Sequence, residues 1–454
     1  MAQTVEGFVN NALDDAKISP LHQRVIALIA AGYFCDVIDY TIYGSLVPFI
    51  IKSGFAATDA AFIGSATIIG LAIGTAGQGE FSDRFGRRFV YQFNLLFFGL
   101  LTILGALMPN VTLLVICRFL AGISLGAEQP LAFAYAGEWA PRRIRGRILA
   151  IVHFIGGAMV WPIGTLLVLG TAAMFASGGD AVSAGYVWRG VWILIGILAL
   201  IVWVFRFTLP ESPRYLATHG RGDEAIKILN RLGIASPTEP LTADAASNTK
   251  SDPFGVVFRM FPKRVIAGMI CFTAFFGIAI GLGAWLPNIM NAKGFTITKS
   301  LQYTLAMNCA VPCASVFMMY ALDKFGRKIT AICTFIAAGL MAIAFGSAVT
   351  ATELIVLGFI MIFFVQVAGN SMQIFTSEVF PTNARASGFG WASGVGRLAT
   401  AGIMPTILWI QTGYGLTTVF GCLAALLFIA AVAVTQLGPE ARQKSLDEIA
   451  PPTG

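Results

Sequence analysis

Two unrelated patterns occur twice in this chain, and in the same register. Asp83–Arg88 reads DRFGRR and Asp323–Lys328 reads DKFGRK; the offset, 323 minus 83, is 240 residues. Glu138, Pro141 and Arg145 in EWAPRRIR recur at that offset as Glu378, Pro381 and Arg385 in EVFPTNAR. A joint duplication implies two structurally equivalent halves, a construction common among membrane transporters.

The stretches between these cassettes are apolar. With 57% hydrophobic and 12% charged residues among 454, the chain has too few charges for a water-soluble surface of that size. Stretches long enough to cross a hydrocarbon core fall at roughly 25–51, 60–81, 89–109, 111–137, 146–172, 188–208, 264–290, 298–321, 329–349, 353–379, 386–411 and 413–436. The expected fold is an all-α membrane protein of twelve transmembrane helices in two pseudo-symmetric six-helix bundles. Its parts are an N-terminal segment 1–24, a first bundle 25–208, a linker 209–263, a second bundle 264–436 and a tail 437–454. The linker holds an amphipathic stretch, GDEAIKILNRLG, and a polar Pro/Ser/Thr-rich one.

With both termini on the cytoplasmic side, 24 of the 30 Lys and Arg residues fall on that side. Lys52, Arg189, Lys293 and Lys299 fall outside, and Arg118 and Arg397 fall within spans. Cationic loops stay cytoplasmic, so this is the expected orientation, in a bacterial inner membrane. The net charge of +7 is then the positive-inside pattern and needs no nucleic-acid partner. The first 24 residues are polar and do not resemble a cleavable signal peptide. The seven cysteines all fall in spans and read as packing residues, with no metal or cofactor implied and a monomer expected.

GEFSDRFGRR, RFLAGISLG (Arg118–Gly126), EWAPRRIRG, PESPRYL (Pro210–Leu216) and PEARQKSLDEI, in this order and topological register, resemble the major facilitator superfamily over essentially the whole length. Within it the chain resembles the sugar-porter and metabolite:proton symporter branch. It departs from sugar porters in the seventh span, which lacks their Gln-Gln pair, and in the tenth, which lacks their Gly-Pro-x-x-Trp segment. Asp36-Val37-Ile38-Asp39, followed by Pro48, is instead similar to the Asp-x-x-Asp of aromatic-acid and nicotinate carriers, and Gly126–Pro130 is similar to a segment of nicotinate carriers. The resemblance implies alternating access and a cytoplasmic gate at the repeated cassettes: Asp83, Arg87, Glu138 and Arg145 in one half, Asp323, Arg327, Glu378 and Arg385 in the other. The plainer reading of these basic loops is that they set topology.

Ionisable groups in hydrocarbon cost about 2.5–3.5 kcal/mol or more, so they normally face a cavity and pair. Asp36, Asp39, Arg118, Glu128 and Arg397 are such groups. At about 1.5 Å rise per residue, Asp39 and Arg118 come to similar heights, and so do Asp36 and Glu128. A carboxylate beside an arginine stays ionised until the arginine withdraws, so Asp39 with Arg118 suits proton coupling. The alternative is a static pair that fixes packing. Asp36 with Glu128 would be a like-charge pair, suited to a second proton site or to an organic cation. Arg397, near the midplane of the second half, matches an anionic substrate through its planar fork. Tyr40, Tyr43, Trp161, Trp285, Asn308, Gln366, Asn370 and Gln373 are candidates to complete the substrate wall; the last three share one helical face. Together these residues favour a proton-coupled carrier of a small organic anion, an aromatic or heteroaromatic carboxylate. The alternatives are a sugar or organic-cation carrier or a drug exporter. Enzyme motifs such as Gly-x-Ser-x-Gly, His-Glu-x-x-His or a P-loop are absent from the sequence.

Overall fold

A computed structural model describes residues 4–175, 180–234, 258–380 and 385–437, without the side chains at 77–85, 87, 127, 130, 319–323, 377–378 and 385–387. The first half runs α1 (Val5–Asp14), α2 (Pro20–Thr41), α3 (Tyr43–Lys52), α4 (Ala57–Phe85), α5 (Arg87–Leu107), α6 (Val111–Trp139), α7 (Arg145–His153), α8 (Val160–Phe175) and α9 (Ala181–Arg206). Short helices α10 (Pro213–Thr218) and α11 (Gly222–Arg231) follow. The second half runs α12 (Pro262–Phe276), α13 (Gly283–Ala292), α14 (Ile297–Asn308), α15 (Ala310–Phe325), α16 (Arg327–Ser347), α17 (Ala351–Val379), α18 (Arg385–Tyr414) and α19 (Leu416–Val434). Helices α2 and α3 together make the first span, α7 and α8 the fifth, α12 and α13 the seventh, and α14 and α15 the eighth.

Helix ends repeat along with the cassettes. Helices α5 and α16 have 21 residues each, and α6 and α17 have 29 each, with starts displaced by the cassette offset. Gly86 and Gly326 precede α5 and α16 at φ 91° and 83°, a conformation that glycine alone adopts without strain. Asn110 and Thr350 cap α6 and α17 by accepting from the amides of Leu113 and Glu353.

Eleven described spans are long and apolar enough to cross a bilayer. The remaining one, α18, has 30 residues and carries Arg397, Pro405 and several glycines, which lower its hydropathy. Phe89, Phe93, Phe97, Leu100 and Leu104 lie exposed along one face of α5, an outer surface suited to lipid rather than water. The two halves meet where α3 packs on α13, α4 on α18 and α8 on α14. At Gly44 the backbones are so close that a Cβ would lie 2.2 Å from the Gly283 carbonyl oxygen. The fifth and seventh spans each contain a glycine-bearing π segment, Phe154–Ala158 and Gly277–Leu282. Ile278, Ala279 and Leu282 of the second segment line the central cavity, in keeping with the frequent placement of such bulges at functional sites.

Two local expectations change. The first span begins at Pro20 rather than near Val25, because Ser19 and His22 form a reciprocal capping box and the His22 ring is buried edge-on against Trp139. Residues expected to be a polar N-terminal segment include the helix α1. Val5, Val9 and Leu13, one turn apart, bury its apolar stripe against α10 and α11.

Candidate transport site

Asp39 on α2 and Arg118 on α6 are 0% and 1% exposed and face each other in two-pronged geometry. Nη1 donates to Oδ1 at 3.1 Å and Nη2 to Oδ2. Arg118 Nε donates to the Thr67 hydroxyl of α4 at 3.3 Å, and its guanidinium lies 4.7 Å from the centre of the Trp192 ring of α9. Three other helices thus satisfy one guanidinium, as a buried ion pair requires if desolvation is not to outweigh attraction.

Glu128 has a partner that the sequence concealed. Arg206, the last residue of α9 and one of the 24 cations assigned to the cytoplasmic side, is fully buried and pairs with Glu128 Oε1. Its Nη1 donates to the Tyr91 carbonyl at 3.0 Å, and the guanidinium covers the Tyr91 ring at 3.6 Å. Gly32 of α2 provides the space: a Cβ there would lie 1.3 Å from Arg206 Nη2 and 2.7 Å from Glu128 Oε1. The expected Asp36–Glu128 couple is therefore modified, because a guanidinium has been inserted beside Glu128. A terminal arginine in a run of apolar residues reads as a flank; only the void at Gly32, far away in sequence, turns it inward.

Asp36 is 3% exposed, and its Oδ1 has no hydrogen-bond partner. Arg397 on α18 is 6% exposed and among the described residues contacts uncharged groups: Nη2 donates to Gln129 Oε1 at 2.7 Å, Nη1 to Thr75 Oγ1 at 3.4 Å, and the Phe276 ring lies 5.0 Å away. Its buried Nε–H has no acceptor. Tyr33, Asp36 and Tyr40 share one face of α2, and all three lie within electrostatic reach of Arg397.

The central cavity lies between the halves. Trp161, Asn308 and Gln366 line it together with Thr41, Ser45 and Thr304. Asn308 Nδ2 bridges the halves by donating to the Thr165 hydroxyl at 3.0 Å, and Gln366 Nε2 donates to Asn370 Oδ1 at 3.1 Å. Gln373 is half-buried, three residues beyond Asn370. Two expected wall residues are committed elsewhere. The Tyr43 hydroxyl donates to the Ala60 carbonyl, and the Trp285 indole donates to the Met404 carbonyl at 3.0 Å.

At the cassettes, the side chains of Asp83, Arg87, Asp323, Glu378 and Arg385 lie outside the described residues, and Arg327 is half-buried. Arg145 donates to Asp14 Oδ1 at 2.8 Å, and Arg214 donates to the same oxygen at 2.6 Å and, through Nε, to the Glu138 carbonyl at 3.0 Å. Glu211 accepts from the Arg88 amide at 3.2 Å, placing a carboxylate at the positive end of α5.

Residues 25–451 match the sugar (and other) transporter family. The chain belongs to that family. The chain is 27% identical to the niacin transporter NiaP of Acinetobacter baylyi over 448 residues, covering 96% of this chain and 98% of the relative. It is 29% identical to the 4-hydroxybenzoate transporter PcaK of the same organism, covering 85% and 84%. The partially occluded inward-open structure of the xylose transporter XylE from E. coli superposes with a TM-score of 0.76 at 21% identity, covering 94% of this chain and 100% of that one. This transporter therefore has the major facilitator fold, is an integral membrane protein and is not an enzyme. In the frame of that family, Arg206 is the functional candidate that inspection of the spans missed.

Proposed function

We propose that this transporter carries a small organic anion, an aromatic or heteroaromatic carboxylate, together with protons by alternating access, from a bacterial inner membrane with both termini in the cytoplasm. The observation that carries this reading is Arg397: a buried guanidinium without a carboxylate partner among the described residues, with an Nε–H that has no acceptor and the Phe276 ring nearby. A buried guanidinium with no carboxylate bonded to it keeps its donors unsatisfied, so the site gains most from an anion that supplies two acceptor oxygens and an aromatic face. Niacin and 4-hydroxybenzoate, named for two relatives, have that chemistry. Asp39, held by Arg118, serves proton coupling: the carboxylate accepts a proton when helix movement withdraws the guanidinium. Trp161, Asn308 and Gln366 shape the cavity, and the cassettes with Glu138, Arg145 and their second-half equivalents gate its cytoplasmic side.

Binding to purified protein tests this. Arg397→Ala should weaken binding of nicotinate, benzoate or 4-hydroxybenzoate at least tenfold, and Arg397→Lys should recover part of it, because an ammonium keeps the charge but loses the fork. Unchanged carboxylate affinity in Arg397→Ala would remove Arg397 from the site. A cation carrier would instead lose affinity in Asp36→Ala; the unpartnered Asp36 oxygen is the observation favouring that reading.

A further inference from the structure

Among the described residues the buried carboxylates and guanidiniums are Asp36, Asp39, Glu128, Arg118, Arg206 and Arg397, three of each. Two direct pairs, Asp39 with Arg118 and Glu128 with Arg206, use up all but two of these charges. The remaining two, Asp36 in the first half and Arg397 in the second, form no salt bridge, yet each lies in the other's electrostatic field. Each also has a buried polar atom without a partner, Asp36 Oδ1 and Arg397 Nε.

We propose that Asp36 is the resident counter-charge of Arg397 in the empty carrier, and that an incoming substrate carboxylate takes its place at Arg397 while a proton from solvent takes the vacated charge on Asp36. This rests on the anion reading given above and assigns where proton and substrate meet. The exchange balances. Before binding, the core holds Asp36 carboxylate and Arg397 guanidinium. After binding, it holds a substrate carboxylate against the same guanidinium and Asp36 as a neutral carboxylic acid, with one proton taken from water. Without that proton the core would carry one uncompensated negative charge, which burial opposes.

The neighbours of Asp36 explain why the proton goes there. Asp39 on its own helix is held by Arg118. Glu128 on α6 is the other nearby acid, and Arg206 from α9 pairs with it through the gap at Gly32. Arg206 is thus a positioning residue: it removes Glu128 from the exchange and leaves Asp36 as the acceptor. Tyr33, Cys35 and Tyr40 on α2 complete the titratable surroundings, with His153 of α7 beyond the Tyr33 hydroxyl at the edge of Gly157. Gln129, adjacent to Glu128, grips Arg397, so the orientation of α6 that Arg206 fixes also sets the anion's receptor.

The test is calorimetric titration of the purified full-length transporter with benzoate, nicotinate and 4-hydroxybenzoate in buffers of different ionisation enthalpy. Wild type should take up close to one proton per anion over the pH range in which empty Asp36 is ionised, and Kd there should rise about tenfold per pH unit. Asp36→Asn should bind the same anion with no proton uptake and a flat pH dependence, and Asp36→Glu should restore both. Anion binding to wild type without proton uptake, or undiminished uptake in Asp36→Asn, overturns the exchange while leaving the anion reading standing. Failure of every carboxylate to bind wild type overturns that reading and this proposal together. The proton count on wild type decides the matter even if Asp36→Asn does not fold.

Discussion

The two halves share a backbone plan and divide the chemistry. Residues 240 positions after Asp36, Asp39, Arg118 and Glu128 are Phe276, Ala279, Gly358 and Ala368, and the residue 240 positions before Arg397 is Gly157. Helix ends, caps and left-handed glycines recur in both bundles, whereas among the described residues the buried ion pairs belong to the first and the guanidinium of Arg397 to the second. The difference teaches that duplication preserved what moves the bundles and released what they carry. A buried ion pair couples helices within a half. Arg397, reaching Gln129 and Thr75, connects the halves through neutral groups, which are easily exchanged for a substrate.

This contrast can be broken most severely at Asp39. Asp39→Asn should abolish proton-driven accumulation in proteoliposomes while sparing substrate exchange; unchanged uphill uptake would remove Asp39 from the coupling role. Next is Gly32→Ala. Its Cβ would lie 1.3 Å from Arg206 Nη2 and force the Glu128–Arg206 pair apart, and breaking a buried pair costs about 3–5 kcal/mol. Thermal unfolding in detergent should show a large loss, against little change for Gly402→Ala, where no atom lies within 4 Å of the added carbon. If Gly32→Ala unfolds like wild type, the pair does not hold the first half together. The mildest tests sharpen the likeness rather than the difference. Asn110→Ala and Thr350→Ala, at equivalent helix starts, should each cost about 1 kcal/mol, and clearly unequal losses would show that the repeated caps are energetically distinct.

Much of the plan was legible in one dimension. Asp39 and Arg118 could be brought to the same height because helical rise is linear in residue number, and the pair is present in the structure. Height is not azimuth, however. Tyr43 and Trp285 lie in the right helices, yet their polar atoms are bound to backbone carbonyls. The docking of α1 escaped notice because its short apolar stripe, Val5, Val9 and Leu13, is set among polar residues and finds its partner only in α10 and α11.

The sequence by itself determined that the chain crosses a bilayer in two matched halves and which charges are sunk in it, because hydrophobic length, cationic flanks and repeated motifs are local properties. Only the tertiary structure decided how those charges are shared out. Whether Arg206 reaches Glu128, and so leaves Asp36 opposite Arg397, depends on helix rotation and on the space left by a missing side chain at Gly32. Three-dimensional packing alone sets both.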